Sequence, residues 1–246
     1  MNNITSIVDD PRYSEAFCPP GVDYKLFPLN WKRHQVMINL IWSFIPENQE
    51  VHVLEVGAYL GQSALTWNRA IAGNIPKGGS ILCVDPWQPF LHEEDVAQGT
   101  LYKQTQNSLK EGAFEQFQKN IALGDAKAPI RFFRGTLASL LAERPFLPPF
   151  DLVYIDGSHY YEDVKEDLRL ARTLVAEEGF LCGDDLECQF NAVDQEECIN
   201  NGHRDFINGY HPGVTRAVWE FFGGEVWCSQ GIWVMRREGA KFVVPF

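Results

Sequence analysis

From about residue 51 to the end of the chain, short continuous apolar runs alternate with longer stretches of helical periodicity. That alternation limits the possible folds more than any other feature. The runs Val51–Val56, Ile81–Val84, Ile130–Phe133, Leu152–Ile155 and Phe180–Cys182 lack the period-two polar spacing of a half-exposed strand. They read as parallel strands covered on both faces. Helices are predicted near 61–72, 111–122, 136–143 and 160–175, and right-handed crossovers through them give an α/β, doubly wound, Rossmann-like sheet. A further helix near 213–222 precedes Glu225–Cys228 and Ile232–Arg236, which the turn Ser229-Gln230-Gly231 joins as an antiparallel hairpin. The expected sheet has seven strands, mostly parallel, with this hairpin at its C-terminal end.

Residues 1–246 are expected to form one domain, a size that a single α/β unit can reach. Residues 1–50 contain Pro19-Pro20-Gly21 and an apolar, aromatic helix around 32–44, and read as a cover over the sheet. The segments 87–110 and 187–212 are too long for ordinary connections and read as lid insertions. The 21 basic against 33 acidic side chains give a net charge of −12, and no Lys/Arg cluster interrupts that field, so nucleic acid is not an expected partner. The longest apolar stretch, Val36 to Ile45, is broken by Asn39 and Ser43 and is about half the length a membrane helix needs, so no membrane partner is expected. The start of the chain has neither a basic n-region nor an apolar h-region, and a cytoplasmic location is expected. The six cysteines form no C-x-x-C pair. They read as mostly reduced thiols, and Cys182, Cys188 and Cys198 with His203 as unrelated groups rather than a metal module.

In doubly wound sheets, ligands bind outside the carboxyl ends of the strands. The first such end is Glu55-Val56-Gly57-Ala58-Tyr59-Leu60-Gly61-Gln62-Ser63. Gly57 permits a sharp turn, and Gly61 opens a helix whose free N–H groups can hold a negative group. Tyr59 stands where a dinucleotide fingerprint needs its second glycine, which counts against a nicotinamide oxidoreductase. The second strand ends at Asp85, whose carboxylate can accept ribose hydroxyls. The pattern E-V-G-x-x-x-G, followed 30 residues after Glu55 by a strand-terminal Asp, resembles the class I S-adenosylmethionine-dependent methyltransferases. The resemblance implies S-adenosylmethionine as cofactor. It places Gly57, Gly61 and Ser63 in the loop around the methionine moiety, and Glu55 supporting the ammonium directly or through water. Asp85 would hold the ribose, Trp87 would stack near the adenine, and Gly135-Thr136 would border it. The purely structural alternative makes Gly57 and Gly61 turn glycines and Asp85 a loop acid.

The fourth strand runs into Asp156-Gly157-Ser158-His159-Tyr160-Tyr161 and the fifth into Asp184-Asp185-Leu186-Glu187. If the two strands are neighbours, about 4.8 Å apart, three carboxylates converge. Such a cluster calls for a cation, and its oxygen donors suit Mg²⁺ or Mn²⁺. Alternatively, Asp156 caps a helix, Asp184-Asp185 begin a solvated loop, and His159 bonds Glu162 or Asp163. The sequence I-D-G-x-H-x-Y with an acidic pair beginning 28 residues after its aspartate is similar to the metal-dependent O-methyltransferases of macrolide sugars and the related cephalosporin-hydroxylase-like group. That resemblance implies Asp156, Asp184 and Asp185 as metal ligands and His159 as general base. Asp184 departs from the Glu common there, which leaves room for Glu187 to contribute. His203 and His211 remain alternative bases, and Tyr160, Tyr161, Trp87, Phe90 and Tyr102 are candidate acceptor-pocket residues. The expected activity is Mg-assisted O-methyl transfer to a hydroxyl of a small molecule, a sugar of a glycosylated metabolite among the possible acceptors. An N- or catechol-type methyltransferase and a non-catalytic S-adenosylmethionine-binding relative stay open, as does a homo-oligomeric state.

Overall fold

The computed structural model describes residues 31–46 and 48–245. The Pro19-Pro20-Gly21 part of the expected cover lies outside them. The chain begins with α1 (Trp31–Phe44), then β1 (Val51–Val56), α2 (Gln62–Asn74) and β2 (Gly79–Asp85). The first insertion holds α3 (Glu93–Val96) and α4 (Thr100–Lys110), and α5 (Ala113–Ile121) leads to β3 (Ile130–Arg134). There follow α6 (Leu137–Glu143), β4 (Phe150–Ile155), α7 (Tyr161–Ala171) and β5 (Val175–Gly183). The second insertion carries a 3₁₀ turn, Phe190–Ala192, and α8 (Gln195–Asn200). The chain ends with α9 (Pro212–Phe222), β6 (Trp227–Ser229), β7 (Ile232–Glu238) and β8 (Lys241–Val243).

The strands form one sheet in the order β3-β2-β1-β4-β5-β7-β6, with β8 beside β7. Strands β1 to β5 pair in parallel, and β7 runs antiparallel to β5, β6 and β8. The seven expected strands are present, and the short β8 adds an eighth. Ser229 pairs with Ile232 across Gln230 and Gly231, both at positive φ (58° and 89°), the two-residue turn whose twist suits a hairpin.

Successive strand side chains point to opposite faces. Val53, Ile81, Leu152, Tyr154 and Val234 therefore pack against α1, α2 and α5 on one face, while Leu54, Val84, Val153, Leu181 and Met235 pack against α6, α7 and α9 on the other. Helix α1 is a cover over the first layer. Its Met37, Leu40 and Ile41 are fully buried, each contributing roughly 1.5–3 kcal/mol before entropy costs. Trp42 Nε1 donates to Ala70 O at 2.7 Å, and His34 Nδ1 meets Thr66 Oγ1 at 2.6 Å. These contacts place Arg33 and His34 in the lining of a cavity at the carboxyl ends of the strands.

Two strands differ from the sequence reading. The apolar run at β3 predicts burial on both faces, yet β3 is an edge strand and Phe132 is 38% exposed; Phe132 instead leans edge-on against Phe114 and Phe117. Strand β5 starts at Val175 rather than Phe180, because Glu177 and Glu178 sit on an irregularity, with Glu178 at φ 61° and a register shift opposite Phe150–Leu152. That earlier start also ends α7 at Ala171. Among the described residues, the cysteines are free and no helix is long and apolar enough to cross a membrane.

Candidate active site

Chain order reverses across the sheet between β1 and β4, the kind of switch point where the carboxyl ends of parallel strands leave a crevice. Here the crevice is a cavity of about 750 Å³. Register decides what meets there. Val56 pairs with Ile155 and Ile155 with Gly183, so Gly57, Asp156 and Asp184 emerge side by side. Asp156 N donates to Val56 O at 2.8 Å and Asp184 N to Ile155 O at 3.1 Å. Gly57 is at φ +85°, and a Cβ there would lie 2.0 Å from the Asp156 carbonyl oxygen. No side chain can be accommodated between the two strand ends.

In the half of the cavity beside β1 and β2, Ser63 lines the wall and its Oγ donates to Glu55 Oε1 beneath it. Glu55 itself is fully buried and reaches the cavity only through that hydroxyl. Burial pushes its carboxyl up to about 8 from an ordinary 4.5, against the pull of the Ser63 and Cys83 hydrogen bonds. Between those two pH values the folded protein keeps a proton that the unfolded chain releases, so stability should fall as pH rises through the window. Glu55→Gln, neutral throughout, is expected to flatten that decline in thermal midpoint against pH; an unchanged slope would show that Glu55 is ionised in the fold.

Asp85 lines the cavity, but its carboxylate already has three backbone partners. Oδ2 accepts from Ala58 N and Tyr59 N, both at 2.9 Å, and Oδ1 from Trp87 N. A carboxylate offers about four acceptor sites, so Asp85 first braces the glycine loop and keeps about one site for a ligand hydroxyl. Trp87 does not reach the cavity. It is 1% exposed, at φ 47°, with Nε1 donating to Tyr59 O at 2.7 Å and its ring against Phe117 at 4.5 Å. Gly135 and Thr136 line the wall where β3 meets α6; Gly135 N donates to Asp85 O at 2.9 Å, and Thr136 caps α6 through Ser139 N.

The other half gathers charge. His159 Nε2 lies 2.9 Å from Asp185 Oδ2, and its Nδ1 lies 2.8 Å from Asp205 Oδ1. Burial opposes protonation of this imidazole, but Asp185 and Asp205 outweigh it and hold its pKa well above the usual value. Burial would raise the Asp185 carboxyl too, yet His159, His211 and Arg33 hold it far below the carboxylate range. Arg33 reaches in from α1: Nη1 is 2.8 Å from Asp184 Oδ1 and 2.9 Å from Asp185 Oδ1, and Nη2 is 3.0 Å from Glu187 Oε1. Asp185 adopts φ 63°, an uncommon backbone state for a non-glycine residue, as does Tyr59 at φ 41° on the opposite wall. Both are residues of the cavity lining, where strained backbone tends to collect.

Asp156, His159 and Asp185 offer three ligand atoms within 4.8 Å of one another. Among the described residues, Asp184 belongs to no such group; Arg33 holds it instead, and burial together with Asp185 raises its carboxyl to about 7. Asp156 is pushed well above its usual range by burial, then by Asp184 and Asp185. Burial and neighbouring like charge both favour the neutral acid at these two positions. The oxygen-rich donor set suits a hard divalent cation.

His211 joins this half, its ring 4.4 Å from that of His159 and its Nδ1 2.9 Å from Glu187 Oε2. Gly213 makes this possible, since a Cβ there would lie 2.2 Å from His159 O. His203 is exposed and stands away from the cavity lining. Phe90 and Tyr102 line the cavity, whereas Tyr160 stacks on His92 at 3.9 Å and Tyr161 packs beneath Arg216 with its hydroxyl on Glu220. The sequence reading omits Arg33 and Asp205. Neither belongs to a motif: each lies far along the chain from its partners, in the cover and in the second insertion.

Residues 54–186 match the family described as a methyltransferase domain. No curated protein matches the sequence. Among solved structures, the chain is similar to the O-methyltransferase NovP at 16% identity, TM-score 0.56, over 84% of this chain and 79% of that one. It is similar to the calicheamicin methyltransferase CalS11 at 16% identity, TM-score 0.52, over 94% and 91%. A Corynebacterium glutamicum protein matches at 15% identity, TM-score 0.55, over 96% and 98%. At these identities the likeness establishes the shared fold.

Proposed function

This chain belongs to the methyltransferase-domain family, and from that premise we propose that it uses S-adenosylmethionine, with a divalent cation such as Mg²⁺, to methylate a hydroxyl group of a small molecule. The observation that carries the proposal is the meeting, in one cavity, of the loop at Gly57 with the cluster Asp156, His159 and Asp185. S-adenosylmethionine supplies a methyl group on a sulfonium sulfur. A divalent cation supplies Lewis acidity that lowers the pKa of a hydroxyl.

The protein's residues divide the remaining work. Ser63, backed by Glu55, faces the position for the cofactor's ammonium, and Asp85 offers its spare acceptor site to a ribose hydroxyl. Gly135 and Thr136 border the adenine side. Asp156 and Asp185 would hold the cation, with Asp184 joining as it gives up Arg33. A cation on Asp185 would offset one of the two carboxylates that raise the His159 pKa, and a neutral imidazole held at Nδ1 by Asp205 could then take a proton at Nε2. The acceptor hydroxyl gives its proton to Nε2, its oxygen forms the new O–C bond, and the S–C bond breaks to leave a neutral thioether. Phe90, Leu91 and Tyr102 line the cavity and would form the wall on the acceptor side.

Oxygen is favoured over nitrogen because a cation centre lowers a hydroxyl pKa, a help that a neutral amine does not need. The name of NovP, an O-methyltransferase of the same fold, points the same way. The test is S-adenosylhomocysteine release on incubation with a panel of sugars, glycosides and catechols, with Mg²⁺ or with EDTA. Release with at least one acceptor, suppressed by EDTA and restored by Mg²⁺, is the expected result. Release indifferent to EDTA, or methyl found on nitrogen, would overturn the corresponding half of the proposal.

A further inference from the structure

We infer that Asp205, carried on the second insertion, is the positioning residue that sets the His159 imidazole for proton transfer, so that the base is assembled only when this insertion is docked. The inference rests on the reading of His159 as the base given above.

Asp205 is 2% exposed, and its Oδ1 stands 2.8 Å from His159 Nδ1. Burial would raise its carboxyl, but His159 more than offsets this and holds it below the usual value, so Asp205 is an anion that only accepts. Nδ1 must then carry the hydrogen of that bond. An imidazole so held has one nitrogen, Nε2, left to exchange a proton, and its ring plane is fixed. Nε2 points into the cluster of Asp156 and Asp185, on the side where the acceptor hydroxyl has to arrive. Asp185 meets the opposite nitrogen, Nε2, and is shared with Arg33 and His211, so Asp205 is the carboxylate that holds Nδ1.

The surroundings fix Asp205 itself. Burial and this same carboxylate hold the phenol of Tyr102, from the first insertion, above its usual pKa. The preceding residue, Arg204, donates Nε to Asp95 Oδ1 at 3.1 Å; Asp95 is 1% exposed and also accepts from the Tyr160 hydroxyl at 2.9 Å. The pair Arg204-Asp205 therefore joins the two insertions over His159. A buried ion pair of this kind costs desolvation and is weak evidence for added stability. What it specifies is a geometry: the imidazole is oriented when both insertions are together and loses its partner when they part.

The test compares wild type, Asp205→Asn, Asp205→Glu and His159→Gln, with histidine ¹⁵N labelling to follow the Nδ1 proton. In wild type a downfield, carboxylate-bonded Nδ1 proton is expected, assigned by its loss in His159→Gln. Asp205→Asn, nearly isosteric, should lose that signal and lower kcat by about 10²-fold, with KM for S-adenosylmethionine within about twofold; Asp205→Glu should recover part of both. A purely structural role would move KM and thermal stability instead. Retention of the Nδ1 signal in Asp205→Asn, with kcat within about twofold of wild type, would overturn the inference. If the signal depends on Asp205 but even wild type transfers no methyl group, the positioning stands and the reading of the activity falls.

Discussion

Replacing Asp156 by alanine should remove cation-dependent methyl transfer almost entirely, with turnover lower by at least about 10²–10³-fold, while S-adenosylmethionine still binds. Asp156 leaves β4 at the switch point and belongs to the group of ligand atoms formed with His159 and Asp185. Its carboxyl is raised by burial and by Asp184 and Asp185, a repulsion that a cation would relieve. Its backbone, not its side chain, abuts Gly57, and the loop around Gly57 to Ser63 should keep its shape. The expected readings are weak Mn²⁺ binding by electron paramagnetic resonance and near-normal cofactor binding by calorimetry. Unchanged Mn²⁺ binding with unchanged turnover would remove Asp156 from the centre.

His159→Gln should cost about 10²–10⁴-fold in turnover, the usual worth of a placed general base. Glutamine preserves some of the packing against His211 but cannot take a proton. Removing the imidazole also removes the strongest counter-charge on Asp185, and Asp185 can still lean on Arg33, 2.9 Å away. The fold should therefore survive, with the carboxylates Asp156 and Asp185 still in place to hold a cation. Turnover at wild-type level across the pH range would pass the base role to another group, with His211 next in position, whereas lost cofactor binding would mark His159 as structural.

The sheet was readable because buried strands announce themselves as unbroken apolar runs, and the turn at Gln230-Gly231 has the chemistry its hairpin needs. β3 misled on burial for the same reason: apolar content says that a strand packs, not how many neighbours it has, and Phe132 packs on one side only. In the site, residues at strand ends were readable because topology fixes them. Gly57, Asp85, Asp156 and Asp185 all reach one cavity. Trp87 stands two residues beyond such an end, where backbone at φ 47° turns its ring into the core. Arg33 and Asp205 were beyond reach, since no local pattern ties them to residues 152 and 46 positions away. Their placement is decided by how the cover and the second insertion fold back over the crevice.

Titration calorimetry of the purified protein decides whether this cavity takes S-adenosylmethionine. S-adenosylmethionine and S-adenosylhomocysteine should each bind at one site per chain with micromolar affinity, and NAD should not. Binding of NAD alone, or of none of the three, would show that the cavity serves another ligand.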